Sequence, residues 1–147
     1  MKIKDVMTHR PETVDANASV TEAAAKMREL DVGSLPVCDG ERLQGLLTDR
    51  DIAIRLVAAG LDASTTKVSE IMTPDAAYCF DDQTLDEAAV LMEAHQIRRL
   101  PILNRDKELI GILSLGDLAV RTAGTEDREL ADEVLNEISE PSPSRRL

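Results

Sequence analysis

The sequence predicts a mixed α/β (α+β) protein: two β-α-β-β-α repeats related by a pseudo-two-fold axis, plus a C-terminal helix. Three observations carry this expectation. First, a shift of 65 residues lays Met7-Thr8 on Met72-Thr73, Val20 on Leu85, Ala23-Ala24 on Ala88-Ala89, Met27 on Met92 and Leu35-Pro36 on Leu100-Pro101. After one extra residue in the second copy, Gly45 falls on Gly111 and Asp51 on Asp117. Second, each half holds one amphipathic helical stretch among short apolar runs of strand length. Third, each half closes on glycine, a hydroxyl residue and aspartate at one spacing: Gly45-Leu46-Leu47-Thr48-Asp49-Arg50-Asp51 and Gly111-Ile112-Leu113-Ser114-Leu115-Gly116-Asp117. With only two copies of so long a period, paired halves are expected rather than a solenoid. The divisions are 1–65 for the first repeat, 66–124 for the second and 125–147 for an acidic helix and tail.

Each repeat reads alike. A lead-in, Val6-Met7-Thr8 or Ile71-Met72-Thr73, precedes an extended piece near Thr13-Val14 or Ala77-Tyr78-Cys79-Phe80. A helix then starts at a capping box, Ser19 with Glu22 or Thr84 with Glu87, in which hydroxyl and carboxylate satisfy orphan N–H groups of the first turn. Its apolar face recurs at Val20, Ala23, Ala24, Met27 and Leu30, and at Leu85, Ala88, Ala89 and Met92. A strand follows at Leu35-Pro36-Val37-Cys38 or Leu100-Pro101-Ile102-Leu103. A polar turn, Asp39 to Arg42 or Asn104 to Lys107, leads to a second strand, Leu43 to Leu47 or Leu109 to Leu113, and the closing helix. Gly60 to Thr66 is the linker. From Thr125 to Glu140 a further helix is expected, with Leu130, Val134, Leu135 and Ile138 on one side and seven acids among the rest. The run from Pro141 to Leu147 is expected to be a mobile tail.

Composition narrows the function classes. The 147 residues are 43% apolar, enough for a packed core. Tyr78 and Phe80 are the only aromatics, so the core must be aliphatic. A net charge of -11 argues against nucleic acid and anionic membrane as partners, because both need a basic face. No apolar run approaches the ~20 residues of a membrane span, and the N-terminus has no signal-peptide segment. A cytoplasmic protein is expected. Cys38 and Cys79 lie in apolar, strand-like surroundings and read as reduced structural thiols, with a disulfide between them as the alternative. His9 and His95 lack the convergence with other ligands that a metal needs, and no metal is expected. His95 reads as a structural residue at a helix C-terminus.

The closing motif supports two readings. Thr48 with Asp51, and Ser114 with Asp117, fit a capping box. The same residues can also bind: hydroxyl and first-turn N–H groups offer donors to a phosphate, and the carboxylate accepts from sugar hydroxyls. Recurrence in both halves favours function.

The duplicated β-α-β-β-α unit, the Leu-Pro before a strand and the glycine–hydroxyl–aspartate ending resemble a tandem pair of CBS (cystathionine-β-synthase) domains, a Bateman module, over about residues 1 to 122. The likeness extends to small bacterial stand-alone CBS-pair proteins. It implies binding of an adenosine-containing ligand (AMP, ADP or ATP; S-adenosylmethionine or NAD as variants) in a cleft between the repeats, and a disc-like homodimer. It implies that Asp51 and Asp117 accept from the ribose hydroxyls and that Thr48 and Ser114 contact ribose or phosphate. Val32, Gly33 and Ser34, and Ile97, Arg98 and Arg99, would border base and phosphates. Met7 and Met72 would flank the adenine, with Tyr78 as the one aromatic other than Phe80. Arg50 stands before the aspartate in one copy, where Gly116 stands in the other and removes a contact. Arg98-Arg99 is the sole adjacent arginine pair outside the tail, and a planar fork of donors suits an anionic ligand.

The expectation is therefore a regulatory binding module with no cofactor beyond its nucleotide ligand. The rival is a stand-alone stress or interaction protein that binds no nucleotide and uses the acidic C-terminal helix as its contact surface. An enzyme is disfavoured, since no nucleophile is paired with a base.

Overall fold

The computed structural model describes residues 1–121. The helix and tail expected over 125–147 lie outside the described residues. In chain order, a 3₁₀ turn (Ile3–Asp5) leads to β1 (Thr8–His9), β2 (Val14–Asp15), α1 (Val20–Leu30), β3 (Ser34–Asp39) and β4 (Arg42–Thr48). Next come α2 (Asp49–Asp51), which runs on as a π-helix (Ile52–Val57), then α3 (Val68–Ile71) and β5 (Thr73–Pro74). The second copy supplies β6 (Cys79–Phe80), α4 (Leu85–His95), β7 (Arg99–Leu103), β8 (Leu109–Ser114) and α5 (Leu115–Arg121). The β-α-β-β-α order read from the sequence is present twice.

The chain forms two compact units, Glu12–Ala76 and Met1–Pro11 with the chain from Ala77 on. Each holds a four-stranded sheet of one design. In the first-repeat unit the order is β2-β3-β4-β5, and in the second-repeat unit β6-β7-β8-β1. The pair flanking the helix is parallel in both (β2 with β3, β6 with β7), and the remaining pairs are antiparallel. The fourth strand comes from the lead-in of the other repeat. β5, which precedes the second repeat in sequence, completes the sheet of the first, and β1 completes the sheet of the second.

The helices begin where the capping residues dictate. Ser19 Oγ accepts from Glu22 N–H at 3.2 Å, and Thr84 Oγ1 from Glu87 N–H at 3.3 Å. Both helices end on a left-handed residue, Asp31 (φ 55°) and Gln96 (φ 54°). His95 is the last residue of α4. Their apolar faces bury Val20, Ala23 and Met27 in one core with Leu35, Val37, Leu47 and Ile71, and Leu85, Ala88, Ala89 and Met92 in the other with Ile3, Leu100, Ile102 and Leu113. Cys38 and Cys79 are free thiols, and burial, reinforced by Asp15 and Glu87 respectively, pushes each up to about 11. At neutral pH both are protonated and poor nucleophiles.

The hairpins share a bulge. Register slips between Val37 and Cys38 and between Ile102 and Leu103, leaving Gln44 and Ile110 unpaired just before each motif glycine. The extra residue of the second copy is taken up in its turn, where Asn104 Oδ1 accepts from Glu108 N–H at 2.9 Å.

Gly45 and Gly111 are required because the lead-in strand crosses them. A Cβ at Gly45 would run into the Thr73 carbonyl oxygen and lie 3.0 Å from Met72 Sδ. At Gly111 it would lie 2.5 Å from Met7 Sδ and 3.1 Å from the Thr8 carbonyl oxygen. Gly45→Ala should cost about 1–3 kcal/mol of unfolding free energy in urea titration. Gly111→Ala should cost less, because its nearest obstacle is a flexible thioether rather than backbone. Equal costs, or none at Gly45, would contradict this.

Candidate functional site

Both motif aspartates sit where a sheet edge turns into a helix. In the first-repeat unit, Ser34 of β3 lies opposite Thr48 of β4, and Asp49 N–H donates to the Gly33 carbonyl oxygen at 2.9 Å. The residues before the Leu-Pro step are thereby held against the start of the motif helix. Thr48 Oγ1 accepts from Asp51 N–H and Asp51 Oδ2 from Thr48 N–H, each at 3.0 Å. The capping box is complete. The Thr73 hydroxyl, on β5, donates to both Asp51 oxygens at 3.4 Å. Arg55 Nε stands 4.0 Å from Asp51 Oδ1, while its Nη1 donates to the carbonyl oxygens of Ile71 (3.3 Å) and Met72 (2.9 Å). Asp51 is only 8% exposed.

The second-repeat unit repeats the arrangement. Arg99 of β7 lies opposite Ser114 of β8, and Leu115 N–H donates to the Arg98 carbonyl oxygen at 3.1 Å. Ser114 Oγ accepts from Asp117 N–H at 3.0 Å, and Asp117 Oδ2 from Ser114 N–H at 3.2 Å. The Thr8 hydroxyl, on β1, donates to Oδ1 and Oδ2 of Asp117 at 3.3 and 3.2 Å. Asp117 is half-buried and therefore more open than Asp51.

An ionised carboxylate offers about four acceptor directions. One N–H and one shared hydroxyl occupy part of that capacity in each unit, and at Asp51 the Arg55 guanidinium also stands beside Oδ1. The remainder matches the two donors of a vicinal diol. Of the sequence-expected residues, Thr48, Asp51, Gly33 and Ser34 come together in one unit, and Ser114, Asp117, Arg98 and Arg99 in the other. Val32 and Ile97 are half-buried against the respective cores. Arg50, Arg98 and Arg99 are exposed. Met72 is half-buried near Gly45, whereas Met7 is 2% exposed and packs on Gly111. Tyr78 stacks edge-on to Phe80 at 5.6 Å, and the Arg105 guanidinium covers the Phe80 ring at 4.2 Å.

Sequence reasoning missed four residues. Thr8 and Thr73 stood in the repeated Met-Thr lead-in, but their partners are more than twenty residues away in sequence. Arg55 follows Asp51 at helical spacing, which could have indicated a pair. Asp49 has its carboxylate directly against Gly33: a Cβ there would lie 3.0 Å from Asp49 Oδ2. Among the described residues no three His, Cys, Asp or Glu side chains are placed to share a metal, and no helix is long and apolar enough to cross a membrane.

Comparison with known proteins agrees with this fold. CBS domain-containing protein YhcV of Bacillus subtilis is 44% identical over 124 residues, covering 84% of this chain and 87% of that protein. Hypoxic response protein 1 of Mycobacterium tuberculosis is 39% identical over 117 residues, covering 79% of this chain and 81% of its own. A crystal structure of Hypoxic Response Protein I with two coordinated zinc ions matches with a TM-score of 0.76 over 82% of this chain and 98% of that one, at 38% identity. A crystal structure of CBSX2, an Arabidopsis thaliana protein, in complex with AMP matches with a TM-score of 0.71 over 83% and 95%, at 32% identity. The CBS domain family model matches residues 3–58 and 68–123, one copy on each repeat. The chain belongs to the CBS domain family and carries a tandem pair of these domains.

Proposed function

We propose that this protein is a regulatory module that binds an adenosine-containing ligand of the AMP, ADP or ATP type, is not an enzyme, and works in the cytoplasm as a homodimer. One observation carries the ligand reading. In each unit a carboxylate is fixed by its own capping box beside the residues that precede the Leu-Pro step, with acceptor capacity left for a ribose diol. The AMP in the CBSX2 crystal supports the same ligand class. Regulation follows by population shift. Ribose hydroxyls that take the oxygens of Asp117 or Asp51 compete with Thr8 or Thr73, so ligand alters how each lead-in strand is held.

One observation favours the rival reading, an interaction protein without a nucleotide. Both capping boxes are complete, so each aspartate already has a structural reason for its place. Titration of variants separates the readings. Arg98 and Arg99 give the Asp117 site cations, each able to make charge-assisted bonds worth roughly 1.5–3 kcal/mol to a phosphate. The Asp51 site has Gly33 and Ser34 there instead. Asp117→Ala should remove most AMP affinity in calorimetry, and Arg99→Ala should weaken AMP far more than adenosine. Greater damage from Asp51→Ala, or equal loss of both ligands with Arg99→Ala, contradicts the assignment of the tighter site.

The dimer rests on apolar side chains left outside both cores. Ile54 and Val57 on the π-helix are 49% and 68% exposed, and Leu30 and Val90 are also exposed. Exposed aliphatic side chains of this kind are covered by a second copy across a two-fold axis. Light scattering should give twice the 16.1 kDa chain mass, and Val57→Asp should shift the protein toward monomer. A monomer mass for the unchanged protein at high concentration defeats the reading.

A further inference from the structure

The two repeats place opposite charge at one point of the fold. Gly33 in the first repeat and Arg98 in the second occupy matching positions before the Leu-Pro step. The residue whose N–H donates to that position's carbonyl oxygen is Asp49 in one unit, at 2.9 Å, and Leu115 in the other, at 3.1 Å. In the first-repeat unit the Asp49 carboxylate lies against the bare Gly33 Cα, so close that a Cβ would meet Oδ2 at 3.0 Å and Oδ1 at 3.6 Å. One of its oxygens is turned back to accept from Arg50 N–H at 2.8 Å, which fixes the group there. Asp51 is paired with Arg55. Arg50, next in sequence and exposed, is the cation adjacent to Asp49 along the chain. The matching place in the second repeat has two exposed arginines, no carboxylate at the Asp49 position and an apolar Leu115.

We infer that the Asp51 site is selective for adenosine ligands that carry no phosphate, with Asp49 as the residue that sets this selectivity, while the Asp117 site takes the phosphorylated ones. The inference rests on the adenosine-binding reading above and assigns a different ligand class to each half of the pair. Each site offers the ribose the same hydroxyl, aspartate and lead-in threonine, and Asp51 differs in being more buried and in having Arg55 beside it. The selectivity arises at the phosphate. A phosphate beside Gly33 would face a fixed carboxylate at short range, and like charges a few ångströms apart repel even in a water-like medium.

Asp117→Ala isolates the first-repeat site, and the full chain carrying it is titrated with adenosine and with AMP. Adenosine should bind more tightly than AMP. Adding Asp49→Asn should raise AMP affinity by roughly tenfold, leave adenosine unchanged, and lose its effect at 1 M salt, where the Debye length falls to ~3 Å. Asp49→Glu, which keeps the charge, should behave as the parent. If AMP and adenosine bind the Asp117→Ala protein equally and Asp49→Asn changes neither, the selectivity inference is overturned while the site stands. If neither ligand binds the Asp117→Ala protein or the unchanged protein, the adenosine reading itself is overturned.

Discussion

Each unit of the fold depends on a lead-in strand of two residues that closes its sheet. That strand cannot hold itself. It gains its place from the bare Gly45 or Gly111 beneath it, which lets backbone meet backbone, and from one threonine hydroxyl on the motif aspartate. The bulge at Gln44 or Ile110 immediately before the glycine bends the receiving strand where the crossing occurs. Capping box, hydroxyl bond and glycine contact meet within a few residues. The same carboxylate that starts the closing helix therefore anchors the sheet's last strand. Any ligand that draws on that carboxylate acts directly on the strand it anchors.

The repeat explains how much of this was legible in the sequence. Duplication fixed the element order, and the hydroxyl–acid pairs at Ser19, Thr84, Thr48 and Ser114 fixed four helix starts, because capping is a local interaction between residues three apart. The exchange of lead-ins was not legible. β1 pairs with β8 about a hundred residues away through only two residues, too short for any periodic signal. For the same reason Met7 and Met72 drew notice in the sequence while Thr8 and Thr73, one residue on, did not. The π-helix after Asp51 was also hidden. Its residues, Ile52 to Val57, are apolar at helical spacing, and the change from α to π hydrogen bonding leaves no mark in composition.

The repeats share geometry but differ in charge, and that difference is a matter of single residues. Arg98-Arg99 stands where Gly33-Ser34 stands, Leu115 where Asp49 stands, and Gly116 where Arg50 stands. Asp51 is buried and has an arginine beside it, whereas Asp117 is more open. Duplication preserved the parts that hold the fold together: glycine, hydroxyl, aspartate and lead-in threonine. The copies differ at positions around that frame, exposed in the case of Arg98 and Arg99 and buried in the case of Leu115. In an acidic protein, a pair of arginines beside an accessible carboxylate is a local reversal of sign. That reversal of sign underlies the proposal that the two halves differ toward an anion.

The claim at the centre of this account is that the motif aspartates recognise a ribose diol. Calorimetric titration of the unchanged protein with AMP and with 2′-deoxy-AMP tests it most directly, because the two ligands differ by one hydroxyl and keep base and phosphate. Loss of a hydrogen bond to a charged acceptor should weaken the deoxy ligand by about tenfold or more. Equal affinity for the two would contradict the role given to Asp117, the site to which AMP is assigned.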